Sequence, residues 1–352
     1  MVNSAFEAAQ RAFHLRQKQQ QQEQKKSGEE VDESRNYAKS QNGESVVVRP
    51  PQRRYDDKQR KGFVVLGMHR SGTSMLSGLL VQGMGYNVGG PLIQPAFDNE
   101  KGFFELLPIV LQNDEFMMKQ HIGWSYNVIN YDYQKALEHK RTGIVKFKEG
   151  RRGLPFLNNP DNSPWLQKDP RMCITLKTWL ELLNSEPAVV YTYRHPLEVA
   201  LSLHHREGFD LQHGLRLWII YNMRAIQNSQ DLCKVYSSNE KMLANPRVEV
   251  QRISDELTHK CNVPSPPRNL SQEDVDVFVD PKLQHEKKKK KKSPGILEQH
   301  GDCIVPKYDS MFEPGSPQQI LEEKLYRKAM RIYCDLNSGI AYSKDYEWPS
   351  ID

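Results

Sequence analysis

A strand that breaks into a glycine-framed turn and then a helix is the most constraining feature of this chain. Residues 63–67 (FVVLG) form a short β-branched apolar run closed by glycine, as expected of a buried parallel strand. Residues 73–82 (TSMLSGLLVQ) follow with the apolar spacing of a helix. Between them Gly67, Gly72 and Ser74 hold the frame of a phosphate-gripping loop, G-x-x-x-x-G-K-[ST]. Thr73 stands where nucleoside-triphosphate loops carry lysine, and a cation, Arg70, comes three residues earlier. Backbone N–H groups of such a turn converge on an anion, and the helix dipole favours negative charge there. Ser71, Thr73 and Ser74 add hydroxyl donors.

The pattern beyond the loop alternates. Strands are expected at 165–168 (WLQK), 188–193 (AVVYTY) and 233–237 (CKVYS), with helices at 104–120, 174–183, 196–204 and 214–226. Strands interleaved with helices predict an α/β fold: a parallel β-sheet flanked by helices, like that of the P-loop NTPases. Ligands of such folds lie at the carboxyl ends of the strands. That rule places the loops after Gly67, Lys168 and Tyr193 on one edge.

Four segments follow from composition. Residues 1–60 are glutamine-rich and then charged, with too few bulky apolar side chains to offset ordering entropy, so they read as a disordered tail. Residues 61–285 carry the alternating pattern, 286–315 a lysine-rich linker or loop, and 316–352 a C-terminal helix (318–336) and tail. The net charge of +5 is misleading, because Lys287–Lys292 supply six positive charges and the remainder sums to 5 − 6 = −1. Like-charge blocks are usually solvated loops, so no nucleic-acid partner is expected.

No run of about 18 apolar residues occurs, so no membrane span is expected. The first residues lack the apolar core of a secretory signal, which favours the cytoplasm, with an organelle transit peptide as the alternative. The five cysteines (Cys173, Cys233, Cys261, Cys303 and Cys334) are scattered, odd in number and without a C-x-x-C pair. They suggest neither a zinc site nor a disulfide framework, and fit a reducing compartment.

The loop Arg70-Ser71-Gly72-Thr73-Ser74 resembles the 5′-phosphosulfate loop of the sulfotransferases that use 3′-phosphoadenosine 5′-phosphosulfate (PAPS). Their second signature, an arginine at a strand end and a serine eight residues on, is similar to Arg194 and Ser202 in YRHPLEVALSL. NEKGFFE (99–105), WLQKDPR (165–171) and Tyr236 with 243–246 are similar to bacterial-type and carbohydrate-type members. The likeness spans 62–285, and it implies PAPS as co-substrate, adenosine 3′,5′-bisphosphate as product and no metal.

The same resemblance implies roles for individual residues. His69, Arg70, Ser71, Gly72, Thr73 and Ser74 would hold the donor, His69 touching the sulfonate or capping the turn. Arg194 and Ser202 would take the 3′-phosphate, and Tyr236 would stack on adenine or pack in the core. Arg70 would offset charge on the leaving group, since arginine stays charged and bonds oxyanions through paired N–H groups. Lys168 is similar to a strand-end lysine that contacts the sulfonate, the alternative being an ion pair. Pro170 stands near the place where some relatives carry a histidine base, so Glu105 is the candidate base, the alternative being a helix-start glutamate. Acceptor selection falls to the divergent segment 121–161, where Lys140, Arg141, Lys146, Lys148, Arg151 and Arg152 suggest a basic lid or a solvated loop. The acceptor implied is a hydroxyl or amine of a carbohydrate or small molecule. A P-loop kinase or NTPase, and a non-catalytic nucleotide-binding protein, are the alternatives.

Overall fold

Four strands, each buried along its whole length or nearly so, build the sheet that positions everything else. The computed structural model describes residues 60–96, 99–141, 153–279, 296–301, 303–308, 310 and 312–351. The glutamine-rich tail, Lys146, Lys148, Arg151, Arg152 and the lysine tract 287–292 lie outside the described residues.

In chain order the elements are β1 (Gly62–Leu66), α1 (Thr73–Gly78), α2 (Leu107–Met118), α3 (Tyr133–Arg141), α4 (Gly153–Asn158), β2 (Trp165–Lys168), α5 (Met172–Leu180) and β3 (Ala188–Tyr193). They continue as α6 (Pro196–Glu207), α7 (Leu211–Asn228), β4 (Lys234–Ser238), α8 (Asn239–Ala244), α9 (Pro246–His259) and α10 (Gln272–Phe278). A hairpin, β5 (Ile296–His300) and β6 (Cys303–Pro306), and the long α11 (Pro317–Ser338) close the chain. A π-helical turn, Leu79–Gly83, extends α1.

The sheet is wholly parallel, in the order β2-β1-β3-β4. Side chains of a strand point alternately to its two faces, so a sheet covered on both sides must be apolar at every position. Val64, Leu66, Val189 and Tyr191 accordingly join one core with Trp179, Trp218 and Tyr326 of α5, α7 and α11. Phe63, Val65, Val190 and Val235 join the other with Leu76, Leu79, Ile253 and Val275. The connection from β1 leads to one side and that from β3 to the other. The β1/β3 junction is therefore the topological switch point, the edge at which folds of this kind bind ligands.

Helix α2 starts three residues later than its apolar spacing suggests. Phe104 takes a positive φ of 55°, Leu106 is extended, and Pro108 sits in the first turn, where a missing N–H is harmless. The hairpin β5–β6 falls in the stretch read as a lysine-rich linker, where the sequence shows little alternation. Helix α11 packs on the α6–α7 layer, and the turn after it stacks Tyr342 on Tyr236 with ring centroids 3.7 Å apart. No helix among the described residues is long and apolar enough to cross a membrane.

The cysteine expectation is overturned. Cys233 is bonded to Cys261 and Cys303 to Cys334, while Cys173 is free and buried. Pairs separated by 28 and 31 residues have no local spacing to betray them, and the odd fifth thiol is simply a core residue. The argument for a reducing compartment loses its basis. Loops of this length are worth about 3–4 kcal/mol each in the chain-entropy account. Unfolded without reductant, the protein should bind one maleimide per chain, and after reduction five. Five in both states, read by intact mass, would contradict the bridges.

Candidate active site

The loop after β1 is built to sit tightly between strands. A Cβ on Gly67 would lie 2.5 Å from the Thr192 carbonyl of β3, so only glycine fits there. Gly72 has φ +80°, and a Cβ on it would meet Asn239 Oδ1 at 2.2 Å. Arg70 also takes a positive φ of 68°, which costs a non-glycine residue on the order of 1–3 kcal/mol. Left-handed residues at short intervals are a feature of the concave backbone turns that suit an anion. Ser71 is fully buried, and its Oγ has no hydrogen-bond partner. A buried hydroxyl left unmatched costs about 1–3 kcal/mol, which a bound oxyanion would recover.

The second signature lands on the first. Ser202 of α6 accepts a hydrogen bond from Arg70 Nε at 2.9 Å. Arg194, just past β3, donates from Nη1 to the Arg70 carbonyl at 3.3 Å. Glu198, one helical turn on, holds the Arg194 guanidinium at 2.8 Å. Trp218 of α7 donates its indole N–H to the Arg194 carbonyl at 2.9 Å, which fixes the strand end.

Lys168, the last residue of β2, reaches the same loop. Its Nζ donates to Glu105 at 2.6 Å and to Ser74 Oγ at 3.3 Å. Asn99 donates to the same Oγ at 3.2 Å. Both Lys168 and Glu105 are buried, at 2% and 8% exposure, so neither charge is screened by solvent. Burial pushes the Glu105 carboxyl above the ordinary carboxylate range; Lys168 opposes this and the Asp169 charge adds to it.

Beneath them lies a polar network that the sequence did not announce. Asn113 donates to Asp169 at 2.8 Å and accepts from Thr175 and Trp179, each at 2.7 Å. Arg171 pairs with Asp169 at 3.0 Å and Asp114 at 2.7 Å, and those carboxylates hold its guanidinium firmly protonated. The network fixes the end of β2 and hence the aim of Lys168.

The structure thus brings together Arg70, Ser71, Gly72, Thr73, Ser74, Glu105, Lys168, Arg194 and Ser202, while Tyr236 lies in mid-strand with its ring stacked on Tyr342. His69 packs its ring against Trp124 and Tyr221. Asn99, Glu198 and Asn239 were missed as contributors. The i, i+4 spacing of Arg194 and Glu198 is a legible ion-pair signal. Asn239 has none, because only the tertiary fold sets it against Gly72.

No protein-family model matches the chain, and no curated protein matches it. Solved structures do. The sulfotransferase domain of the Synechococcus PCC 7002 olefin synthase is 14% identical, with a TM-score of 0.40, over 77% of this chain and 95% of that one. The sulfotransferase domain of the curacin biosynthetic pathway is 16% identical, with a TM-score of 0.37, over 63% and 79%. Sulfotransferase STF1 from Mycobacterium tuberculosis H37Rv is 15% identical, with a TM-score of 0.34, over 63% and 72%. All three are sulfotransferases. At these overlaps the reading of function rests on the side chains themselves.

Proposed function

We propose that the chain is a PAPS-dependent sulfotransferase acting on a hydroxyl or amine of a carbohydrate or small molecule. The observation that carries this is the convergence of Arg70 with Ser202 and Arg194, from two signatures more than a hundred residues apart. The residues suit the co-substrate: a loop with left-handed Arg70 and Gly72, an unmatched buried Ser71 hydroxyl and three cations meet at one edge of the sheet. PAPS supplies a sulfuryl group joined to a phosphate that departs as an anion. Arg70 offsets the charge that grows on that leaving oxygen. Lys168 and Ser74 orient the group in transfer, and Arg194 with Ser202 binds the 3′-phosphate. Glu105 takes the acceptor proton.

Replacing Arg194 by alanine removes that cation and leaves Glu198 facing the phosphate. Binding of adenosine 3′,5′-bisphosphate, followed by calorimetry, should weaken by about 30–150-fold, as expected for a charge-assisted contact worth about 2–3 kcal/mol. Unchanged affinity would contradict the assignment.

A proton acceptor must be ionised, and the Glu105 carboxyl is shifted upward. Turnover should therefore rise with pH through a midpoint above 4.5, lost on the acid side as the carboxylate protonates. Glu105→Gln should cost about 100-fold or more and abolish that acid limb. An intact limb in the variant would exclude Glu105 as the base.

A further inference from the structure

His69 has a feature that the donor site does not use. Its ring is half-buried, yet Nε2 is enclosed and has no hydrogen-bond partner. The imidazole lies between Trp124, 4.6 Å away at 50°, and Tyr221, 5.6 Å away at 74°. The Tyr221 hydroxyl donates to the Trp124 carbonyl at 2.6 Å, tying α7 to the segment before α3. Arg206 of α6 lies 5.7 Å from the Trp124 ring and is itself paired with Glu207 at 2.6 Å. Trp124 remains partly accessible while Tyr221 is fully buried behind it.

The charge around this imidazole is one-sided. Burial first, and then Arg171, Arg206, Lys168 and Arg70, hold its pKa well below 6.5. A ring kept neutral by cations is a poor proton acceptor. It still offers one N–H and one lone pair, enough to fix a hydroxyl without competing for its proton. Aromatic faces beside such a polar point suit a ligand with a flat apolar face and a polar edge.

We propose that His69 and Trp124, backed by Tyr221, form the acceptor subsite, which takes a ring-borne hydroxyl. The oxygen bonds the imidazole, the ring lies on Trp124, and the proton goes to Glu105. This rests on the sulfotransferase reading. It also gives a physical role to the segment 121–161, through Trp124 rather than through its basic residues.

The test uses the full chain, with His69→Gln and Trp124→Ala. Bisphosphate affinity by calorimetry should stay within about twofold of wild type in both, since the bisphosphate lacks the sulfonate that the sequence resemblance would have His69 touch, and Trp124 has no donor role. With PAPS as donor, p-nitrophenol and methyl glucoside should be sulfated in preference to 1-hexanol. The KM for the ring alcohols should rise about tenfold in each variant, the loss expected for one hydrogen bond or one ring contact. The acid limb of the pH profile should persist in His69→Gln. A tenfold loss of bisphosphate affinity in His69→Gln would move His69 to the donor side and overturn the proposal. So would equal use of 1-hexanol, an unaltered KM, loss of the acid limb, or no turnover of either ring alcohol. Failure of the wild type to bind bisphosphate would instead sink the underlying sulfotransferase reading.

Discussion

Arg70→Ala should release bisphosphate from PAPS about 10³-fold more slowly than wild type under saturating donor. A preorganised donor at a developing oxyanion is typically worth 10²–10³-fold, and a transition-state arginine 10³-fold or more. Arg70 is preorganised by construction: its backbone is held at φ 68° and its Nε is bonded to Ser202. That arrangement leaves the guanidinium little freedom to lose when the leaving oxygen gains charge. Bisphosphate affinity should fall much less, because Arg194 and Ser202 remain to take the 3′-phosphate. A rate within tenfold of wild type would show that Arg70 shapes the loop without touching the reacting atoms. Equal losses in rate and affinity would reduce it to a binding residue.

The second large effect is on stability. Lys168→Met leaves the Glu105 carboxylate buried without its cation, and breaking a buried pair from one side costs about 3–5 kcal/mol. For a chain of this size that corresponds to a Tm lower by about 6–10 °C. Methionine fills the space of the lysine stem, so the loss measures charge rather than packing. Adding Glu105→Gln should restore most of the stability and none of the activity, since the unpaired charge disappears along with the base. A single variant as stable as wild type would mean that water reaches Glu105 and the pair is solvated. The contrast matters for mechanism, because a solvated Glu105 would have no raised pKa and no acid limb above the ordinary range.

The parts of the fold legible in the sequence are those carried by local periodicity. The strands at 165–168 and 188–193 form over the residues read for them, because continuous apolar β-branched runs buried on both faces have few alternatives. The glycine-framed turn after β1 was legible for a similar reason: Gly67 and Gly72 are positions where a Cβ would strike backbone or a neighbouring amide. Arg70, Ser202 and Arg194 were legible as separate motifs; their meeting is a property of the strand order. Lys168 was read as a sulfonate contact or an ion-pair partner and Glu105 as a base or a helix-start glutamate, and the structure joins the two in one ion pair.

What the sequence hid is tertiary. The disulfides join cysteines about thirty residues apart, and no local pattern marks such pairs. Asn113 looks like an ordinary polar residue inside an apolar helix, yet it satisfies Asp169, Thr175 and Trp179 together. Trp124 sits in the least patterned stretch, and tertiary contacts with His69, Tyr221 and Phe209 set it beside the loop. The hairpin β5–β6 owes its position to the bridge from Cys303 to Cys334 and to Val305 buried in the core rather than to strong alternation. Tyr236 carries a motif-like context, and its ring stacks on Tyr342, a partner that no local pattern marks.

The central claim is that a loop with Thr73 in place of lysine, and with Arg70, Arg194 and Ser202 around it, selects an adenosine 3′,5′-bisphosphate nucleotide. Calorimetric titration of the wild-type chain with that bisphosphate, against ATP with Mg²⁺, tests it most directly. The account predicts micromolar or tighter binding of the bisphosphate and binding of ATP weaker by about 100-fold, because ATP lacks the 3′-phosphate that Arg194 and Ser202 would hold. Preference for ATP, or equal affinity for the two, would contradict it and make the loop a triphosphate site after all.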